Sequence, residues 1–400
     1  MKTIIHRILF FGSALLIVEY VCADETILFQ TIAPQINNTI SAETIPQSDQ
    51  WSGWCGVKMV STIQQPRALS QSFYTINDGQ RFAGTFELAN AKLSWRSGIQ
   101  QSFLVDLEKT HSIGPLFIGE RINKNTDTIF LVNNDQLDGF IESIDSTTGA
   151  TLEIASKASD KSETPTKEKI NIPIQRISEI QLATKIKNPT GWRFWLSDGS
   201  VVDADSWTAN KSTCQLTAVH TTPVINSVIP WNNILSIAPN PVSITNLASC
   251  PWKIIQGTDK QTNRLAPPVV SASITPAAFD AIPMDFYGPG VFEFSLGQNA
   301  ATLIAVITVP PQLKGNIECR VSIEDGEKAL LEQFINPESG PVDIRIPILG
   351  NKLVVRLDQS KRGAFGCAIR LEGAMLISQS CGAPIQTSPS PANAPAKSDM

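Results

Sequence analysis

Polar and apolar residues alternate along most of this chain, and three stretches of that alternation share one layout. Phe73 to Leu88 reads FYTINDGQRFAGTFEL, Ile129 to Ile144 reads IFLVNNDQLDGFIESI, and Trp192 to Trp207 reads WRFWLSDGSVVDADSW. Each predicts a short strand, a turn and a second strand: period-two alternation puts every other side chain on one sheet face, and Asp-Gly or Asn-Asp supplies the turn. Asp78, Asp135 and Asp198 take turn positions, where affinity for backbone N–H groups accounts for them. An apolar segment closes each unit. The second and third closures agree at four positions, Ile172, Pro173, Ile177 and Ile180 against Ile229, Pro230, Ile234 and Ile237. The same offsets in the first copy fall on Val105, Asp106, Thr110 and Ile113, a degenerate version. Recurrence of a turn with a common ending makes a repeated β unit.

The units occupy 70–115, 127–183 and 190–239, each with four or five short strands. A unit this small is expected to fold as a little barrel or to pair its open edges with its neighbours. Ser156 to Lys169, charged and containing Pro165, reads as a mobile hairpin loop. Residues 240–268, rich in Pro, Asn and Ser, read as a linker. Residues 269–381 carry seven longer alternating runs separated by turn signals, the pattern of a β-sandwich. Residues 24–69 read as an irregular lead-in and 382–400 as a disordered tail. No segment sustains a helical period. The expected fold is all-β: three small barrel-like antiparallel repeats followed by a jelly-roll β-sandwich.

The first 23 residues carry Lys2 and Arg7, an apolar run from Ile8 to Val18 and a small-residue ending at Val21-Cys22-Ala23, which reads as an export signal. Acylation at Cys22 is the alternative, although Glu19-Tyr20-Val21 lacks the small apolar pattern such a site needs. No later stretch is apolar for long enough to cross a membrane as a helix. The chain is expected in the periplasm or cell envelope, or secreted. Its net charge of -5 at pH 7 grows one unit more negative once the signal leaves, which disfavours nucleic acid as a partner.

Cys55, Cys214, Cys250, Cys319, Cys367 and Cys381 remain after cleavage, an even count that permits three disulfides in an exported chain and leaves their connectivity open. Cys250 and Cys381 bracket the C-terminal domain and are the favoured bridge, with Cys319 and Cys367 as further candidates; buried free thiols are the alternative. There is no CxxC pair, and with His111 and His220 as the mature imidazoles a metal site is not expected. Hydrolysis needs a carboxylate pair across a cleft or a nucleophile with its base, and no GxSxG, HExxH or phosphate-cradling motif occurs. No catalytic residue and no cofactor is assigned.

The C-terminal strands resemble the NPCBM-type carbohydrate-binding domain, a jelly-roll sandwich found on some glycoside hydrolases. The matching residues are Val321-Ser-Ile323-Glu-Asp325-Gly326, Val342-Asp-Ile344-Arg-Ile346 and Gly350-Asn-Lys-Leu353-Val-Val355-Arg-Leu357. The repeats before them look like the barrel-like repeats that precede such domains in exported planctomycete proteins of unknown function. Two segments depart from the family: Asp285-Phe286-Tyr287-Gly288-Pro289 and Arg362-Gly363-Ala364-Phe365-Gly366 lack its polar hallmarks. The resemblance implies sugar binding, which stacks pyranose rings on aromatics and fixes hydroxyls with polar side chains. All eight tryptophans lie at or before Trp252, so Phe286, Tyr287 and Phe365 are the ligand-binding candidates. Trp95, Trp192, Trp195, Trp207 and Trp231 are expected to plug the repeats or cover edges between them. The sequence thus points to an exported non-catalytic protein that binds a polysaccharide or another cell-envelope polymer through its sandwich. The competing reading is a structural protein whose repeats make protein contacts in an envelope assembly.

Overall fold

A computed structural model of the protein describes residues 5–11, 14–20, 27–32, 38–42, 45, 54–60, 72–89, 92–99, 102–115, 125–145, 149–155, 167–185, 187–189, 191–218, 225–257, 269–270, 276–297, 301–313, 317–326, 328–359, 367–378 and 381. The repeated turn has one backbone conformation in all three copies. Gly79, Asn134 and Gly199 sit in its left-handed position at φ 84°, 68° and 88°. They donate to the carbonyls of Ile76, Leu131 and Leu196 at 3.0, 2.9 and 3.0 Å. One residue earlier, a side chain accepts the backbone N–H two positions on: Asp78 from Gln80, Asn133 from Asp135, and Asp198 from Ser200. In the second copy the acceptor is therefore Asn133, not Asp135.

Strand order repeats as well. The opening strands Phe73–Ile76, Asp127–Leu131 and Trp192–Leu196 pair on one side with Arg81–Ala89, Gln136–Asp145 and Val201–Ala204. On the other side they pair with the closing strands Thr110–Gly114, Ile177–Gln181 and Ile234–Ala238. Third and fourth strands complete each meander: Lys92–Ser97 with Phe103–Leu104, Gly149–Ala155 with Lys167–Ile172, and Thr213–Ala218 with Ile225–Pro230. The shared Ile-Pro ending has a physical reason. Pro173 and Pro230, extended and without an N–H to satisfy, each lead into a 3-10 turn that delivers the chain back to its opening strand. There Ile180 pairs with Ile129 and Ile237 with Phe194, and in the degenerate first copy Ile113 pairs with Tyr74.

The units do not stand apart as three closed barrels. Ladders run from one to the next, Ile113 beside Ile180 and Val201 beside Arg81, so that the repeats share one 16-stranded sheet, apart from Ser206–Ala209, Thr213–Ala218 and Ile225–Pro230 of the third unit, which form a three-stranded sheet of their own. Among the described residues no ladder joins Lys167–Ile172 to Ile177–Gln181, so backbone bonds do not close the second unit. The lead-in is not irregular throughout: Gly56–Met59 pairs with the third closing strand, and Leu28–Ile32 and Thr39–Ser41 extend the sheet beyond it. Lys167 to Lys169, expected in a loop, begin a strand, while 156–166 lie outside the described residues. Trp95, Trp207 and Trp231 are fully buried inside their units, Trp207 edge-on to Trp192, Phe194 and Trp231. A buried ion pair ties the third unit to the first. Arg193 Nε and Nη2 grip both oxygens of Asp203 at 2.6 and 2.8 Å, and Nη2 also donates to the Asp78 carbonyl at 2.8 Å.

The C-terminal region is a sandwich of two antiparallel sheets. One holds Val269–Val270, Met284–Tyr287, Ala368–Ser378, Ala301–Thr308 and Val342–Ile348, with Ile244–Asn246 beside the far end of Ala368–Ser378. The other holds Trp252–Gly257, Gly290–Ser295, Lys352–Gln359, Cys319–Asp325 and Lys328–Ile335. The presumed linker 240–268 thus supplies two strands, Ile244–Asn246 and Trp252–Gly257, to the sandwich. Ile5–Phe11 and Ala14–Tyr20, within the segment expected as an export signal, form a two-stranded antiparallel hairpin. No helix of the described residues is long and apolar enough to cross a membrane.

Repeats and sandwich meet at a dense joint. Ile304, Met375 and Ile377 on the sandwich pack with Trp195, Leu235 and Phe279 in one apolar cluster. Phe279 and Asp280 both have left-handed backbones, φ 58° and 53°, a conformation costing a non-glycine residue about 1–2 kcal/mol. Their contacts hold them there. Phe279 N–H donates to Ser236 Oγ at 2.9 Å and its ring meets Trp195 edge-on at 5.1 Å; Asp280 accepts from Arg81 at 2.7 Å and Trp195 Nε1 at 3.2 Å. A disulfide between Cys55 and Cys381, 326 residues apart in sequence, fastens the same joint. This corrects the expected Cys250–Cys381 bridge: Cys250 is a buried free thiol.

Candidate functional site

Parity along one strand decides which residues of the sandwich face outward. In Met284–Tyr287 the side chains of Met284 and Phe286 are buried in the core between the sheets, and Asp285 and Tyr287 alternate to the other face, where Asp285 is itself buried under its partners at 2% exposure. Phe286, 0% exposed and edge-on to Phe292 and Phe294, cannot offer a ring to a ligand, so that candidate is withdrawn. Phe365 lies outside the described residues. Tyr287 is half-buried, packed against the edge of the sandwich core.

Around Tyr287 the structure assembles a polar cluster. Arg370 stands directly across from Asp285 in the neighbouring strand and binds it with two parallel hydrogen bonds, Nε to Oδ1 at 2.6 Å and Nη2 to Oδ2 at 2.8 Å. Gln312, from the 3-10 turn Pro311–Leu313, reaches back over the pair. Its Nε2 donates to Asp285 Oδ2 at 3.1 Å and to the Tyr287 hydroxyl at 2.8 Å. On the third strand Thr308, opposite Arg370, donates to Glu372 at 3.2 Å. The Asp285 carboxylate beside it holds the Arg370 guanidinium still more firmly protonated than usual. A register shift between Ile304 and Val306, with Gly373 at φ 59° in the facing strand, separates this cluster from the half of the outer face that the joint covers.

Both Asp285 oxygens are engaged, Oδ1 by Arg370 and Oδ2 by Arg370 and Gln312, which fixes the carboxylate in place. Tyr287 accepts from Gln312 and keeps its own hydroxyl proton for an external acceptor. Among the described residues no group of three or more His, Cys, Asp or Glu is placed to hold a metal ion. His111 lies in a strand of the first repeat and His220 lies outside the described residues. A hollow of about 70 Å³ between the first and third repeats, lined by Ile99, Asp198, Val228 and Asn233 among others, is far below the roughly 300 Å³ from which ligand pockets begin.

No protein-family model matches the chain, and no curated protein matches it. Among solved structures it is similar to the CBM51-2 and INT domains of Clostridium perfringens ZmpB in complex with GlcNAc, at 9% identity and TM-score 0.26, covering 43% of this chain and 38% of that one. It is similar also to the CBM51 of Clostridium perfringens GH95 in complex with methyl-galactose, at 9% identity and TM-score 0.22, covering 34% of this chain and 92% of that one. The chain spans less than two fifths of the first of these. Scores this low carry no argument about this protein, and no family is assigned.

Proposed function

We propose that the protein is an exported, non-catalytic binding protein that takes carbohydrate, or another cell-envelope polymer rich in hydroxyls, on the outer face of its C-terminal sandwich. The observation that carries this reading is Gln312 bridging the Tyr287 hydroxyl to the Asp285–Arg370 pair. A half-buried aromatic side chain beside fixed polar groups bears on the two needs of a sugar, an apolar surface to stack on and partners for its hydroxyls. Export is supported by the Cys55–Cys381 disulfide, a bond that persists in oxidising compartments, together with the apolar segment after Lys2 and Arg7. The assembly reading has less support. Lys167–Ile172 ends the long sheet, and its exposed Glu168 and Lys169 oppose pairing with another edge. A glycan array probed with the full chain tests the proposal: retention on defined glycans that Tyr287→Ala abolishes is expected. Retention on none, with capture by an envelope protein instead, would favour assembly, and release of free sugar would overturn the non-catalytic assignment.

A further inference from the structure

Cys319 and Cys367 take no part in the joint or in the polar cluster, yet they meet in the core. Cys319 opens the strand Cys319–Asp325 in one sheet, and Cys367 immediately precedes Ala368–Ser378 in the other. Both are buried free thiols in this structure, and their sulfurs lie 2.9 Å apart. That is within about an ångström of a covalent S–S bond, near 2.05 Å. Their other polar contacts are long, Cys319 to the Arg320 carbonyl at 3.7 Å and Cys367 to the Asp358 carbonyl at 3.5 Å. The two remaining thiols differ. The Cys250 sulfur lies 3.8 Å from the Asn246 carbonyl, and burial pushes the Cys214 thiol up to about 12.

We infer that Cys319 and Cys367 form a second disulfide in the exported protein, joining the two sheets of the sandwich beside Tyr287. The place gives the bond a consequence. Gly288, next to Tyr287, donates its N–H to the Cys367 carbonyl at 2.8 Å, and a Cβ on Gly288 would lie 3.0 Å from the Cys367 sulfur. The bond therefore fixes the strand end that carries the candidate ring. Its formation needs a disulfide donor such as oxidised glutathione or a thiol oxidase of the envelope. One cysteine thiolate attacks the donor disulfide and expels one thiolate; the second cysteine then attacks the mixed disulfide and expels the other. The two cysteine protons end on the two donor thiols, the cysteines lose two electrons, and the donor gains them. The hydrogen bond to Cys367, and then burial, push the Cys319 thiol up, which disfavours its thiolate once the sheets have closed.

The inference rests on the proposed export but not on sugar binding. Its test is peptide mapping of the full chain refolded in a glutathione redox buffer, with free thiols alkylated in denaturant before digestion. The Cys55–Cys381 cross-link in the same digest reports separately whether the buffer oxidised the protein. Expected are a covalent Cys319–Cys367 peptide pair, alkylated Cys214 and Cys250, and an intact mass lighter than the reduced chain by two hydrogens per bond. Alkylated Cys319 and Cys367 in a sample that contains the Cys55–Cys381 link, or a link from either to Cys250, would overturn the inference. Export fails by a different observation, a tagged chain that stays in the cytoplasm.

Discussion

Asn134 does with a short polar side chain what Gly79 and Gly199 do with none: it takes the left-handed position of the repeated turn. Asn134→Ala is expected to destabilise by about 1 kcal/mol because a plain Cβ is penalised there, while Asn134→Gly is neutral or stabilising. Chemical denaturation of both variants checks the order, and an alanine variant as stable as wild type would contradict it. The closing isoleucines differ in depth. Ile234 is 0% exposed and Ile177 only half-buried, so Ile234→Asp is expected to cost about 3–5 kcal/mol and Ile177→Asp clearly less. Equal losses would mean that Ile177 lies as deep as Ile234, contrary to the structure. Asp203 carries a pH signature. Burial pushes its carboxyl up to about 6 from 3.8, and the hydrogen bonds from Arg193 offset that only in part. A raised folded value means that the native state holds the extra proton between those limits. This group's contribution to stability is therefore full below about pH 4 and is lost as pH rises through about 6. Melting of wild type and Asp203→Asn from pH 4 to 7 should show wild type losing ground to the variant as pH rises; a constant difference would place the charge on Asp203 throughout.

At the scale of elements, the repeats were legible because alternation, turn chemistry and the Ile-Pro closure all act within a short reach of the chain. The strands the sequence concealed take their conformation from partners far away. Gly56–Met59 has four residues, and it is a strand because Val57 finds Ile237. Trp252–Gly257 sits among Pro and Asn yet pairs along Gly290–Ser295. The site was half legible for a related reason. Phe286 and Tyr287 are neighbours in a strand, and neighbours in a strand face opposite ways, so at most one could be a ligand face. Arg370 is 85 residues from Asp285, and nothing local announces their pairing. Close approach at Gly56 gives an element-scale prediction. A Cβ there would come within 2.7 Å of the Ile237 carbonyl and 3.0 Å of the Phe279 ring. Gly56→Ala is expected to lower the melting temperature by several degrees, since the contact is to backbone that cannot swing aside. A melting temperature unchanged within error would mean that the lead-in strand can lift off its neighbour.

Over the whole molecule, the joint and the candidate site divide one sheet face between them. Phe279, Trp195 and the Cys55–Cys381 disulfide cover the half around Ile304, Met375 and Ile377, leaving Tyr287, Gln312 and Arg370 on the other. A cross-link spanning 326 residues, an ion pair and an apolar cluster at one place should make repeats and sandwich unfold together. Calorimetry is expected to give one transition for wild type and two for Cys55→Ser combined with Arg81→Ala; two transitions already in wild type would show that the joint does not couple them. The measurement that bears most directly on function is isothermal titration of the full chain with a glycan retained on the array, compared with Gln312→Ala. Removing the bridging amide should weaken binding by tenfold or more, about 1.4 kcal/mol, with melting nearly unchanged because Gln312 lies on a surface turn. Undiminished binding by the variant would place recognition elsewhere on the protein and contradict the assignment of this face.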